Sequence, residues 1–310
     1  MTNGGDQATA IVEAEAALDA GSPDRTMEVL SPFFQSGLQP RALWLVARVL
    51  TTTEQTAQAC ELFKQAFNGD NALPFIEIRV GDTVCRIQDV AGSLSLVTFA
   101  EEFYRDIYGL ADLGLGPGDA FIDVGANVGF VSIAVASRYP DARVIAFEPA
   151  PKTFEILEKN IHDNGIANIT AVNKAVNADG RDLELLVMHG DSGASNAFTN
   201  ATVAERYESE NIGELVRVEA LSLDAVFDEY SIDRCAFLKL DCEGAEFEVL
   251  RTTEKLDRID RISMELHIDL QHLEDTTPDA FAADFCTEIC ARVAQPPEIK
   301  VASLVGVRDT

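Results

Sequence analysis

The residue pattern with the clearest chemical meaning is a pair of glycines that follows an apolar run. Phe121–Val124 is typical of a buried strand, and Gly125 and Gly129 bracket a turn that opens a helix. Glycine permits close approach of the backbone to a ligand, and the first turn of a helix offers free N–H donors. Ala126 and Asn127 stand between the glycines, in a spacing unlike the G-x-G-x-x-G of dinucleotide folds. The spacing favours a nucleoside that carries a sulfonium over a pyrophosphate.

Two carboxylates lie where the first two strands of this unit are expected to end. Asp123 closes the first strand, and its charge suits the ammonium group of a methionine moiety. Glu148 follows a second apolar run, where a carboxylate can accept two hydrogen bonds from a ribose diol. We therefore predict that Asp123, Gly125, Ala126, Asn127, Gly129 and Glu148 bind a nucleoside-containing cofactor.

A third stretch concentrates charge after a later apolar strand. Lys239, Asp241, Glu243 and Glu246 come together there, and the last predicted inner strand ends in Glu265 and His267. Open α/β sheets bind their ligands at the carboxyl ends of the strands. Clustered carboxylates raise one another's pKa, which suits one of them to accept a proton near neutrality. The predicted catalytic residues are Lys239, Asp241, Glu243, Glu265 and His267, and Asp241 is also expected to contact the cofactor.

These side chains suit transfer of a group to a hydroxyl. An alcohol is a weak nucleophile, so a base that removes its proton contributes about 10²–10⁴ in rate. Asp241 and His267 are the candidates for this base, with Glu243 or Glu265 orienting them. The alternative for His267 is a histidine satisfied by backbone carbonyls, and Glu246 is interpreted as a first-turn acid favoured by the helix dipole.

A divalent metal ion is a second way to interpret the same cluster. Asp241, Glu243, Glu265 and His267 offer oxygen and nitrogen ligands for Mg²⁺ or a similar ion. Spacing alone does not separate a metal site from hydrogen-bonded carboxylates, so we predict no metal ligands and leave the divalent ion as the less favoured option.

The elements that must position these residues alternate between strand and helix, which is typical of a parallel sheet covered on both faces. The predicted strands are Ala120–Val124, Arg143–Phe147, Ile169–Val172, Ala236–Leu240 and Arg261–Leu266, with Ile299–Val307 as a final edge strand. The predicted helices are Val128–Arg138, Pro151–Asn164, Ala245–Arg251 and roughly Pro278–Ala291. The polar segment Asp191–Asn211 is expected to be a functional loop.

The N-terminal part of the chain has a different pattern. Residues 1–10 are small and polar, which predicts a disordered terminus, and residues 11–70 have a helical pattern. Apolar positions in the helical segment recur at an offset that approximates the 34-residue period of tetratricopeptide-like repeats. A plain helical extension is the alternative. Alternating residues at 75–80 and 83–87 predict a β-hairpin at the start of a domain that spans residues 71–310.

Taken together, these motifs resemble the FkbM family of S-adenosylmethionine-dependent methyltransferases. The matching residues are the Asp123–Gly129 stretch, Phe147-Glu148-Pro149, Lys239-x-Asp241-x-Glu243-Gly244-x-Glu246 and Glu265, within a family core at about residues 75–270. The resemblance implies an α/β, Rossmann-like class I methyltransferase fold with a seven-stranded, mostly parallel sheet, here preceded by a small all-α unit. It also implies O-methylation of a sugar, glycolipid, polysaccharide or natural product, with S-adenosyl-L-methionine as cofactor.

Composition limits the partners and the location. The formal net charge is −28, which repels nucleic-acid backbones, and no stretch approaches the about 18 apolar residues of a membrane span. The N-terminus does not resemble a signal peptide, and the six cysteines form no C-x-x-C pair, so we expect a cytoplasmic protein. A small-molecule or glycan acceptor is the expected partner, with a protein partner on the N-terminal helices as a further option.

Two other function classes stay open from the sequence. An NAD-dependent oxidoreductase is disfavoured because the G-x-G-x-x-G turn is missing. A non-catalytic partner-binding protein on a methyltransferase scaffold is disfavoured because Asp123, Gly125, Gly129, Glu148 and Asp241 are all intact.

Overall fold

The computed structural model describes residues 4–52, 55–67, 75–80, 83–90, 105–189, 212–269 and 276–307, with residues 93, 95, 98, 99, 103, 192, 210 and 273. The N-terminal helices are α1 (Gly4–Asp19), α2 (Pro23–Leu30), α3 (Pro40–Thr52) and α4 (Thr56–Phe67). They confirm the predicted small all-α unit. They pack mainly as two consecutive pairs, α1 with α2 and α3 with α4, and the tetratricopeptide-like character of these pairs stays a prediction.

Helix α1 begins earlier than the sequence predicts. The sequence predicts disorder over residues 1–10, but the helix starts at Gly4, so this expectation is wrong for residues 4–10. The reason is the buried side chain of Gln7. Its amide donates to the carbonyl of Gly37 at 3.1 Å and accepts from the N–H of Gln39 at 2.7 Å, which ties the first turn to the segment before α3.

An antiparallel hairpin connects the helical unit to the rest of the protein. Strands β1 (Ile76–Val80) and β2 (Thr83–Ile87) pair with Ile76 opposite Ile87, as predicted. The inward residues of this hairpin share one hydrophobic core with Trp44 and Phe63 of the helical unit and with Phe130 of the following domain. The core is therefore continuous across the predicted domain boundary at residues 70/71.

The remaining strands and helices alternate along the chain. The strands are β3 (Ala120–Val124), β4 (Arg143–Phe147), β5 (Ile169–Val172), β6 (Ala175–Asn177), β7 (Leu183–Met188), β8 (Gly213–Val218), β9 (Ala220–Ser222), β10 (Cys235–Leu240), β11 (Arg261–Asp269) and β12 (Glu298–Val307). The helices are α5 (Phe130–Arg138), α6 (Pro151–Asp163), α7 (Leu223–Glu229), α8 (Glu246–Thr252) and α9 (Pro278–Cys290).

Six of these strands form the central sheet in the order β12-β11-β10-β3-β4-β5, and every neighbouring pair is parallel. Alternate residues of β3 enter different cores. Ile122 packs with residues of α7, α8 and α9, whereas Phe121 packs with Val131 and Val135 of α5. The sheet is thus covered on both faces, which confirms the predicted class I methyltransferase fold. Within the described residues it has six strands rather than seven, because β12 pairs directly and in parallel with β11.

The strand order creates a crevice at one edge of this sheet. From β3 the chain moves to β4 and β5 on one side, and later to β10, β11 and β12 on the other. The connections after β3 and β10 therefore leave in opposite directions, and a ligand crevice forms between them at the carboxyl ends of the strands. The β6–β9 and β7–β8 pairs are separate two-stranded sheets. Of the polar segment 191–211, only Ser192 and Glu210 are among the described residues.

We predict that the helical unit and the sheet unfold together, because they share one core. The ring centre of Phe63 lies 4.7 Å from that of Trp44, the single tryptophan of the chain. Phe63→Ala should lower the free energy of unfolding by about 3–5 kcal/mol. Trp44 fluorescence and far-ultraviolet circular dichroism should still give one coincident transition.

The matched control for this prediction is Phe34→Ala, since the Phe34 side chain is 44% exposed. It should change the free energy of unfolding by at most about 0.5 kcal/mol. A fluorescence transition that separates from the circular-dichroism transition in the Phe63 variant would show that the two units fold independently.

Candidate active site

A cavity of about 300 Å³ lies in the crevice at the carboxyl ends of β3, β4 and β10. Gly125, Asn127 and Glu148 line one side of it, and Asp241, Glu243 and Glu265 line another. Apolar side chains, among them Phe147, Val176 and Leu185, complete the wall. Residues from the three motifs therefore meet in one cavity, although they come from distant parts of the sequence.

Both glycines of the turn have a left-handed backbone and no room for a side chain. Gly125 has φ +76°, and a Cβ there would lie 1.8 Å from the carbonyl oxygen of Asp241. Gly129 has φ +91°, and a Cβ there would lie 2.5 Å from Cδ1 of Leu157 on α6. Gly125 thus lets β3 turn against the end of β10, and Gly129 lets α5 start against α6. Of the predicted turn residues, Gly125 and Asn127 line the cavity, whereas Ala126 and Gly129 are not among its lining residues.

Glu148 is held in place by two backbone groups. Its Oε2 accepts the N–H of Asn127 at 2.9 Å, and its Oε1 accepts the N–H of Ala150 at 2.9 Å. The side chain is buried but lines the cavity. Burial raises the pKa of Glu148 to about 7, although the two N–H donors lower it in part. Each carboxylate oxygen retains a lone pair for a further donor, so the group is suited to bind a diol.

The structure corrects the role predicted for Asp123. Asp123 is fully buried, and it is not among the residues that line the cavity. Its Oδ2 accepts the hydroxyl of Ser132 at 2.6 Å, and its Oδ1 lies 3.2 Å from Nζ of Lys239. Asp123 is therefore a buried counter-charge for Lys239, and it is not placed to receive the ammonium group of a ligand.

Lys239 links the glycine turn to the acidic end of the cavity. Its Nζ donates to the carbonyl of Gly125 at 3.0 Å and lies 3.4 Å from Oδ2 of Asp241. Burial alone would lower the pKa of Lys239, but the charges of Asp123, Asp241 and Glu265 outweigh it and raise the pKa. The ammonium group is therefore charged and held by three partners, a state that does not suit the predicted role of a proton acceptor.

Behind the acidic end of the cavity lies Tyr108, a residue that the sequence analysis missed. The hydroxyl of the buried Tyr108 donates to Oε1 of Glu265, and Nζ of Lys239 lies 5.3 Å from the centre of the Tyr108 ring. Burial raises the pKa of Asp241 to about 6, with Lys239 opposing the shift. Burial likewise raises the pKa of Glu243 to about 7. This end of the cavity therefore gathers carboxylates that can gain or lose a proton near neutrality.

His267 has both ring nitrogens occupied. Nδ1 lies 3.1 Å from Oε1 of Glu246, and Nε2 lies 3.3 Å from Oε2 of Glu243. Burial alone would lower the pKa of His267, but the bond to Glu246 and the charges of Glu246 and Glu243 raise it to about 9. A ring held between two carboxylates is a poor base near neutrality, so the structure does not support His267 in the predicted role of proton acceptor.

Glu246 is also more than the first-turn acid that the sequence suggests. Its side chain is fully buried, and Oε1 accepts the N–H groups of Cys242 and Gly244 at 2.9 and 3.2 Å as well as contacting His267. Burial alone would raise the pKa of Glu246, but these hydrogen bonds and the charge of His267 lower it. Glu246 thus fixes the turn after β10 and joins it to the end of β11.

The chain belongs to the Methyltransferase FkbM domain family, which matches residues 123–292. This match confirms the predicted family, although it begins after the β1–β2 hairpin and ends beyond residue 270. The chain is 30% identical to methyltransferase sdnD of Sordaria araneosa over 178 residues, which covers 51% of this chain and 68% of that protein.

Two further relatives have more informative names. The chain is 27% identical to the 31-O-demethyl-FK506 methyltransferase FkbM of Streptomyces tacrolimicus, which covers 54% of this chain and 75% of that protein. It is 24% identical to the hexuronic acid methyltransferase AglP of Haloferax volcanii, which covers 67% of this chain and 76% of that protein.

No helix among the described residues is both long and apolar enough to cross a membrane.

We predict that Gly125→Ala disrupts the site by collision with the backbone of Asp241. The left-handed φ and the overlap with a carbonyl oxygen should together cost about 3 kcal/mol or more of folding stability. Gly165→Ala is the matched control, because Gly165 has φ +65° but no atom within 4 Å of the position that a Cβ would take. It should cost only about 1–2 kcal/mol. Urea unfolding measures both, and equal losses would contradict the close approach of β3 and β10.

Proposed function

We propose that this protein is an S-adenosylmethionine-dependent methyltransferase that methylates a hydroxyl group of a sugar, glycolipid, polysaccharide or natural product. The observation that carries the proposal is the single cavity that joins the Gly125–Glu148 side to the Asp241–Glu243–Glu265 side. The first side has groups suited to a nucleoside, and the second has groups suited to a hydroxyl that must lose its proton. The names of two relatives support this proposal, since one is a 31-O-demethyl-FK506 methyltransferase and the other a hexuronic acid methyltransferase.

The residues on the nucleoside side fit the cofactor. The Glu148 carboxylate has free lone pairs for a ribose diol, and the apolar Phe147, Val176 and Leu185 offer a surface for a purine ring. Gly125 and Asn127 bring backbone groups to the cavity wall for the amino-acid part. When bound, S-adenosylmethionine supplies an electrophilic methyl group on its sulfonium, and the protein contributes alignment and exclusion of water.

The acidic side of the cavity receives the acceptor. Asp241, Glu243 and Glu265 line this side, and they accept the hydroxyl hydrogen bond and take up its proton. Asp241 is next to the glycine turn, since its carbonyl oxygen is the atom that Gly125 approaches. Lys239 and Glu246 hold these carboxylates in place from behind. The carboxylates are thereby fixed before the acceptor enters, which lowers the cost of orientation.

The N-terminal helices support this site by packing in the hydrophobic core next to it. Their apolar residues are used in the shared core with β1, β2 and α5. We also propose that the outer surface of these helices binds a protein partner. A cytoplasmic location is the second proposal carried over from the sequence. Nothing in the described geometry favours an oxidoreductase or a non-catalytic binding protein over a methyltransferase.

We predict that Glu148→Ala weakens the binding of S-adenosylmethionine by about tenfold or more, because a hydrogen bond to a charged group contributes roughly 1.5–3 kcal/mol. Isothermal titration of the folded variant measures the change. Glu158→Ala is the control, since Glu158 is an exposed carboxylate on the same α6 segment that follows Glu148. Unchanged affinity in the Glu148 variant would remove Glu148 from the ribose site.

We also predict that Asp241→Asn separates turnover from cofactor binding. Loss of the proton-accepting charge should reduce methyl transfer at least about a hundredfold, while the dissociation constant of the cofactor should change less than about threefold. Consumption of S-adenosylmethionine is measured against a panel of hydroxylated sugars and natural products. Asp257→Asn, a change of an exposed carboxylate, serves as control. Equal losses in turnover and affinity would place Asp241 in the cofactor pocket instead.

A further inference from the structure

Three potential metal ligands converge at the acidic end of the cavity. Asp241, Glu243 and His267 each bring one ligand atom within 4.8 Å of the others. β10 pairs with β11, with Leu240 opposite Met264, so the turn after β10 that carries Asp241 and Glu243 lies beside the end of β11 that carries His267. Two carboxylates and one imidazole from adjacent strands are a donor set that divalent transition metals accept.

The histidine of this triad is supported in the way that metal-binding histidines are. A histidine that ligates a metal with one ring nitrogen commonly donates the other N–H to a carboxylate. Nδ1 of His267 lies 3.1 Å from the fully buried Glu246, which is outside the triad, and this leaves Nε2 facing Glu243. The second oxygen of Glu246 is buried and has no hydrogen-bond partner in the described part of the chain.

We infer that Asp241, Glu243 and His267 bind one divalent cation of the Mn²⁺ type. Lys239 contacts Oδ2 of Asp241, which leaves Oδ1 for the ion. Mixed carboxylate and imidazole ligands favour Mn²⁺ and neighbouring transition metals over Ca²⁺, which takes oxygen ligands alone. The purpose of the ion rests on the proposed function. A bound ion would polarise the acceptor hydroxyl, and Glu265, a cavity carboxylate outside the triad, would then accept the proton in place of the metal-bound Asp241.

The test is Mn²⁺ binding to the full chain after chelator treatment, followed by electron paramagnetic resonance at about 0.15 M salt to screen the acidic surface. One Mn²⁺ per chain is expected. Glu243→Gln and His267→Gln should each weaken this binding at least about tenfold. Glu184→Gln removes the same charge from an exposed position on β7 and should leave the affinity unchanged.

Absence of stoichiometric binding, or binding that the Glu243 and His267 variants leave unchanged, would overturn the inference and assign Mn²⁺ to the surface of a protein with net charge −28. If His267→Gln does not fold, Glu243→Gln decides, because that side chain is 34% exposed and tolerates an isosteric change. S-adenosylmethionine is titrated in parallel with a chelator present. Cofactor binding without a Mn²⁺ site rejects the metal alone, and Mn²⁺ binding without cofactor binding rejects the proposed function alone.

Discussion

One buried ammonium group holds the site together. Nζ of Lys239 contacts the carbonyl of Gly125 at 3.0 Å, Asp123 at 3.2 Å and Asp241 at 3.4 Å. These partners come from the end of β3 and the end of β10, the two strands between which the chain reverses its direction across the sheet. A buried charge is stable only when it is paired and hydrogen-bonded. The ammonium group of Lys239 therefore fixes both the glycine turn at Gly125 and the carboxylate of Asp241.

The pairing of buried charges also explains how several carboxylates can lie close together at this end of the cavity. Oδ1 of Asp123 lies against the ammonium group of Lys239, and Oδ2 accepts the hydroxyl of Ser132. Glu246 is occupied by His267 and by two backbone N–H groups on the other flank. Between these fixed pairs, Asp241 and Glu243 face the cavity with pKa values raised by burial to about 6 and about 7. Asp123 and Glu246 are thus held by charged or hydrogen-bonded neighbours, whereas Asp241 and Glu243 line the cavity.

The sequence predicts the sheet better than it predicts the direction of side chains within it. β3, β4 and β5 have the predicted bounds, because short apolar runs between glycine, proline and acidic residues mark buried strands. Every residue of β3 is buried, so an alternation of apolar and polar residues cannot show whether the side chain of Asp123 faces the cavity or the protein interior. Tyr108 lies in a turn, and its partner Glu265 is far along the chain, so no local pattern reports their bond. Glu246 fits the helix-dipole rule equally well whether it is exposed or, as here, buried against His267.

In addition to the shared core, one buried side chain on α6 links the hairpin to the glycine turn by hydrogen bonds. The buried Asn160 donates to the carbonyl of Val128 in the glycine turn at 2.8 Å and to the carbonyl of Gln88 after β2 at 2.9 Å. Its own oxygen accepts the N–H of Gln88 at 3.0 Å. Since β2 packs in the same core as the N-terminal helices, Asn160 connects that core to the backbone that forms the cavity wall. An N-terminal unit outside the matched family region is thus connected to the glycine turn beside the cavity, and buried amide groups of this kind are costly to leave unpaired.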